Sequence, residues 1–184
     1  MSLAEHIHAQ ISPGEIGADL GFGLAASARL DPAPIRVEWL SARDGAPARA
    51  DFFGLPDRLP FHEHALDYLV AARALEHAAH PAAAAAEWHR VVRPGGLVCV
   101  VEALRPAVLR TLLTQQPESQ PRLLWEVAGI TETPRATLTL LRVHKGWLAR
   151  AQSEVFRLRA KGHPRAALRD DAQSFAEWAA NTRG

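Results

Sequence analysis

An α/β fold organised on a mostly parallel sheet is the architecture this chain predicts, and three observations carry it. Residues 66–71 and 97–101 are short, almost wholly apolar runs, as expected of strands buried on both faces. Between them lies an alanine-rich segment opened by Pro81, which suits the first turn of a helix. Arg93-Pro94-Gly95-Gly96 closes that segment with proline followed by glycine, the pattern of a type II turn. Strand, helix, turn and strand in this order make the crossover unit of a parallel sheet.

The other elements follow along the chain. Leu3, Ile7 and Ile11 recur at helical spacing and predict a short amphipathic helix that ends before Pro13 and covers one edge of the sheet. Gly14, Gly17, Gly21 and Gly23 predict a loop, and residues 24–30 a helix after it. Residues 35–40 alternate as a second strand, 41–47 form its loop, and 50–53 make a short third strand with Asp51 at or near its end. The fourth strand is 66–71; the helix over 82–92 presents Ala85, Trp88 and Val92 on one face, and the fifth strand is 97–101. Beyond it come a helix over 107–113, a polar loop over 115–122, and two strands, 123–127 and 136–143, flanking 128–135. Trp147, Leu148, Ala151, Val155 and Leu158 mark one helical face, and Phe175 and Trp178 a last amphipathic stretch. The expected division is a domain over 1–146 and a helical extension over 147–184, packed on the domain or on the partner subunit of a homodimer.

Composition excludes some partners. The 184 residues are 48% apolar and 22% charged, an ordinary globular balance with material for one sizeable core. With 21 basic and 20 acidic residues the net charge is +1, so no global field draws nucleic acid or an anionic membrane. Only Lys145 and Lys161 are lysines, and the arginine- and alanine-rich remainder reflects bacterial-like codon usage more than an arginine site. Cys99, the single cysteine, lies inside an apolar run and reads as an inert buried thiol, which fits a reducing cytoplasm. The first residues lack a signal-like pattern, so a cytoplasmic, soluble chain is expected. His62-x-His64 and His77-x-x-His80 have ligand-like spacing, but no cysteine or patterned carboxylates accompany them, and no metal is expected.

The glycine-rich stretch leaves two cofactor registers open. Gly21-Phe22-Gly23-Leu24-Ala25-Ala26 fits the dinucleotide pattern G-x-G-x-x-A. Asp19-Leu20-Gly21-Phe22-Gly23, or Glu15-Ile16-Gly17-Ala18 just upstream, has the acidic-hydrophobic-glycine opening of a nucleoside-binding loop. A tight turn without a ligand is the third reading. Rossmann-like folds hold the ribose with an acid at the end of the second strand; here that strand ends in Leu40-Ser41, and Asp44 is the loop carboxylate nearest to the task. Asp51 is a candidate acceptor for an adenine amine or a turn cap, with Phe52 beside it on the cofactor side. The stretch after the fourth strand lies where open α/β sheets bind ligands: Arg73 is counted with the cofactor, and Glu76 and His77 are candidates for a general base or an acceptor-orienting group.

Leu59-Pro60-Phe61, Leu75-Glu76-His77 and Arg90-Val91-Val92-Arg93-Pro94-Gly95-Gly96 resemble, in order and spacing, class I S-adenosylmethionine-dependent methyltransferases, in particular the type 11 group. The resemblance is specific over residues 51–101. Ala25 stands where the family commonly has a third glycine, His80 where it often has Asp, and the ribose acid is missing, so the cofactor loop is divergent. The resemblance implies a Rossmann-like sheet of order 3-2-1-4-5-7-6 with one antiparallel strand, S-adenosylmethionine as cofactor, and methyl transfer to a small-molecule acceptor. A catalytically degenerate binding or scaffold protein on the same fold is the alternative. An NAD-dependent oxidoreductase rests on the G-x-G-x-x-A match alone.

Overall fold

A computed structural model describes residues 2–21, 33–39, 50–75, 78–102, 124–134, 136–160, 163–170 and 172. Seven strands among them form one sheet: β1 (Gly17–Leu20), β2 (Ile35–Trp39), β3 (Phe52–Gly54), β4 (Leu66–Ala72), β5 (Val92–Glu102), β6 (Leu124–Glu132) and β7 (Thr137–His144). Their order is β3-β2-β1-β4-β5-β7-β6, with β7 antiparallel to both neighbours and every other pair parallel. This is the expected sheet.

The helices are α1 (Leu3–His8), α2 (Pro81–Val91) and α3 (Trp147–Ala160), with a 3-10 turn over Pro164–Ala167. None is long and apolar enough to cross a membrane among the described residues. α1 opens on a capping box in which Ser2 and Glu5 satisfy each other's backbone N–H. It does not cover an edge, as its spacing led one to expect. Ile7 packs with Tyr68, Val70, Leu97, Cys99, Leu138 and Leu140, so α1 closes one face at β4, β5 and β7.

The opposite face is closed by α2, through Ala84, Ala85, Trp88 and Val91. Period-two alternation divides β4 between the two cores, Leu69 and Ala71 on one side, Tyr68 and Val70 on the other. The Leu59-Pro60-Phe61 stretch and the chain just before it are fixed to α2 by polar bonds. Leu59 donates its N–H to Glu87 (2.8 Å), Arg90 donates to the Phe61 carbonyl (2.9 Å), and the Trp88 indole donates to Pro56 O (3.0 Å).

Arg93-Pro94-Gly95-Gly96 is drawn into β5 as a bulge: Leu66 faces Val92 and Tyr68 already faces Leu97, so the extra residues loop out. Gly95 takes φ +78 there, and a Cβ on Gly96 would meet the Asp67 carbonyl at 2.6 Å.

Three expectations need correction. Gly17 lies in β1 and not in a loop, so the glycine-rich stretch does follow a strand; only two of that strand's four residues, Ala18 and Leu20, are apolar, which hid it. β6 runs to Glu132, and 128–135 is not a separate linker: Thr133 and Ala136 close a tight hairpin through Thr133 Oγ1. The third strand begins after Asp51. The segments expected over 24–30, 41–47, 107–113 and 115–122, and the stretch with Phe175 and Trp178, lie outside the described residues.

Candidate active site

In a parallel sheet, ligands bind beyond the carboxyl ends of the strands. At that edge stand the end of β1 with Gly21, the exit of β4 at Arg73, and Glu102 at the end of β5. Gly21 has φ +79 and donates its N–H to Val37 O of β2 (3.1 Å), so the chain turns sharply on leaving the central strand. Asp19 precedes it in β1, between Arg36 of β2 and Val70 of β4, and is 1% exposed. Burial, and next the Asp19 charge, hold the Tyr68 phenol well above its usual range.

Arg73 is exposed and has φ +56, a left-handed conformation that a non-glycine residue adopts at a cost. Two bonds from the end of β5 hold this exit: Arg73 N–H to Val101 O (2.8 Å) and Leu75 N–H to Glu102 Oε1 (2.9 Å). Glu102 is 2% exposed and was not foreseen; the available signal was an acid ending an unbroken apolar strand. Replacing it by leucine strands the Leu75 N–H in a buried place, and the Glu102→Leu variant is expected to lose about 1–3 kcal/mol of stability. Glu102→Gln keeps an acceptor and should lose clearly less. Equal losses in chemical denaturation would show that this bond does not hold the exit.

The structure does not bring all the sequence-predicted residues to this edge. Glu15 lies before β1, at the amino edge, where its carboxylate accepts from Ser12 N–H (3.0 Å) and pairs with Arg93 (3.5 Å). Gly17 has no side chain because the Tyr68 ring fills the space a Cβ would need. Asp51 precedes β3, also at the amino edge, and both its oxygens bond Arg36, through the backbone N–H (2.9 Å) and the guanidinium (3.2 and 3.3 Å). Phe52 is buried in the core on the α2 side. These four serve the sheet. Asp19, Gly21 and Arg73 lie at the carboxyl edge. Gly23, Asp44, Glu76 and His77 lie outside the described residues.

Among the described residues no group of three or more metal-ligating side chains occurs. His62 stacks obliquely on Phe156, and His64 has its Nδ1 2.6 Å from Lys145 Nζ. Both belong to the amino edge.

Residues 18–100 match the family model described as "Methyltransferase domain". This region is similar to a methyltransferase domain. Three solved structures have the same fold. The YcgJ protein of Bacillus subtilis has a TM-score of 0.54 at 12% identity, over 78% of this chain and 98% of that one. A SAM-dependent methyltransferase of Thermotoga maritima, described as a possible histamine N-methyltransferase, has a TM-score of 0.54 at 14% identity, over 78% and 88%. A SAM-dependent methyltransferase of Aquifex aeolicus has 0.50 at 10%, over 77% and 89%. No curated protein sequence matches the chain.

The cofactor that the match to this family model implies is S-adenosylmethionine. The described residues fit it at one point: a buried acid, Asp19, lies in β1, and a positive-φ glycine, Gly21, follows the strand and puts no side chain of its own at the turn. Of the two acidic openings, Asp19-Leu20-Gly21 leaves β1 at the carboxyl edge and Glu15-Ile16-Gly17 enters it from the other.

Proposed function

We propose that the chain transfers a methyl group from S-adenosylmethionine to a small-molecule acceptor. The observation that carries this reading is the Asp19-Leu20-Gly21 exit of β1, beside the braced left-handed exit of β4, on a sheet whose seventh strand is inserted antiparallel between the fifth and sixth. That insertion argues against the nicotinamide reading, because dinucleotide-binding sheets run 3-2-1-4-5-6.

S-adenosylmethionine supplies a methyl group activated by its sulfonium. The residues of this chain then have to bind, orient and keep water away, which accounts for much of catalysis in such transfers. Gly21 lets the backbone approach the nucleoside, and Asp19 is the acid nearest that turn in sequence. Arg73 and Leu75, held by β5, fix the start of the segment in which Glu76 and His77 follow; in this reading one of these two takes the acceptor's proton. A net charge of +1 favours a small acceptor over a nucleic acid.

Titration calorimetry with S-adenosylhomocysteine tests this. The wild-type chain is expected to bind, and Gly21→Val to bind at least about tenfold more weakly, since a β-branched residue at φ +79 is strained and covers the backbone. No heat from the wild type at millimolar ligand leaves a binding or scaffold protein as the better description. Tighter binding of NAD than of S-adenosylhomocysteine overturns the methyltransferase reading altogether.

A further inference from the structure

We propose that the outward face of α3 is the interface of a homodimer, in which two copies of the helix cross antiparallel about a two-fold axis near Gln152. The apolar side of α3 points the wrong way for a helix that serves only its own core. Ser153 and Phe156 face inward, Ser153 at 2% exposure and Phe156 against the α2-side core. Trp147, Leu148, Val155 and Leu158 face out, at 80%, 56%, 48% and 75% exposure, and Ala151 is exposed between them. At 3.6 residues per turn these five fall within about 100° of arc, roughly opposite Ser153 and Phe156. Contiguous apolar surface of this kind marks a contact site in a soluble chain.

The pattern along the stripe is self-complementary, which is what a two-fold contact requires. Trp147 and Leu158 lie equally far from a point between residues 152 and 153, and Ala151 and Val155 are centred within half a residue of it. In an antiparallel crossing at that point, Trp147 of each copy meets the partner's Leu158, while the small Ala151 lets the backbones approach beside Val155. The charges obey the same centre. Arg150 and Glu154 flank one side of the stripe, and like flanks meet in an antiparallel pair, so each Arg150 faces the partner's Glu154 and the pair occurs twice. Among the described residues of one chain, Glu154 has an exposed pairing with Arg157 (3.4 Å), which exchanges at little cost. Arg159, on the other flank, lies too far from the centre to oppose its own copy. On that flank a groove of about 680 Å³, lined by His62, Glu63, Gln152, Val155, Phe156 and Arg159, opens where the partner's Leu148 would lie.

Sedimentation equilibrium of the full chain, up to about 100 µM, is the test. A concentration-dependent dimer is expected, and Leu158→Glu should convert it to a monomer that still unfolds cooperatively. Arg150→Glu and Glu154→Arg should each weaken the dimer about tenfold, and the double variant should restore it, because the exchanged charges again face each other. An Ala151→Cys variant should cross-link to a covalent dimer on mild oxidation. A wild-type monomer at the highest concentration overturns the proposal, and if that monomer floats with phosphatidylserine vesicles the face belongs to a bilayer. A dimer indifferent to Leu158→Glu, or a charge swap that fails to restore association, overturns it equally.

Discussion

Gly17→Ala is expected to lower the stability of this chain by on the order of 3 kcal/mol, although glycine to alanine in a strand is ordinarily mild or favourable. β1 is central in the sheet, between β2 and β4, and Gly17 stands opposite Tyr68 in the register of the β1–β4 pair. The new methyl would lie within the van der Waals surface of the Tyr68 ring. That ring cannot swing away, because Tyr68 is fully buried among Ile7, Val70 and Cys99. In a chain of this size the loss corresponds to a fall in Tm of roughly 6–12 °C. A second substitution identifies the cause: Tyr68→Leu in the Gly17→Ala background should recover part of the loss, as neighbours sharing one space are non-additive. If Gly17→Ala left Tm unchanged and weakened S-adenosylhomocysteine binding, Gly17 would belong to the cofactor site and not to the packing.

This residue also shows why the sequence was legible in some places and opaque in others. The α2 crossover could be read because each of its parts is locally determined: Pro81 starts a helix, a run of alanines extends it, and Pro94-Gly95 turns the chain. Gly17 is determined by a ring 51 residues away, opposite it in the next strand, so the run Gly17-Ala18-Asp19 has the composition of a loop and the conformation of a strand. The acids were misplaced for a related reason. Glu15 and Asp51 have the residue type that a cofactor site needs, but a sequence does not tell an acid just before a strand from one just after it until the strand's limits are known. Asp51 completes a pair with Arg36 at the amino edge, and Glu15 with Arg93. Arg93 in turn meets Asp67, whose other oxygen accepts the Ile16 N–H (2.7 Å). Arg93 thus helps set where β1 begins. Asp19 and Gly21, at the far end of β1, take the opposite edge. The two ends of the sheet differ: ion pairs knit the amino edge, and the carboxyl edge is where the proposed cofactor would bind.

Lys145 at the amino edge gives a second large expected effect, on stability against pH. Its Nζ is buried against the carbonyls of Arg90 (3.0 Å) and Val92 (2.6 Å), at the end of α2, and against His64 Nδ1 (2.6 Å). Burial lowers the ammonium to about 7, against an ordinary 10.5; Glu63 opposes the shift and Arg90 adds to it. Burial first, and then the Lys145 charge, also push the His64 imidazole down, so the two groups do not share the site as cations. When the amine is neutral it donates to both carbonyls and accepts from His64 Nδ1–H; when charged it donates to all three, and His64 must carry its proton on Nε2, towards Glu63 (3.4 Å). Between about pH 7 and 10.5 the unfolded chain holds a proton that the folded chain lacks, so stability rises with pH in that window, by at most about 1.4 kcal/mol per unit, and the contribution is lost as pH falls through 7. Cys99 and Tyr68 act with the opposite sign. Burial raises both acids, so the unfolded chain loses their protons first and stability declines above their ordinary values of 9.0 and 10.0. The three together predict a rise on the order of 2 kcal/mol from pH 7 to 9, a plateau while Lys145 and Cys99 cancel, and a fall beyond pH 10. Thermal unfolding should show the rise as roughly 4–8 °C in Tm. Lys145→Met should be flat from pH 7 to 9 and begin to fall from there, whereas Cys99→Ala should extend the rise towards pH 10. A wild-type curve that is level from pH 7 to 9 would mean that Lys145 stays charged in the fold, with its three acceptors outweighing the burial.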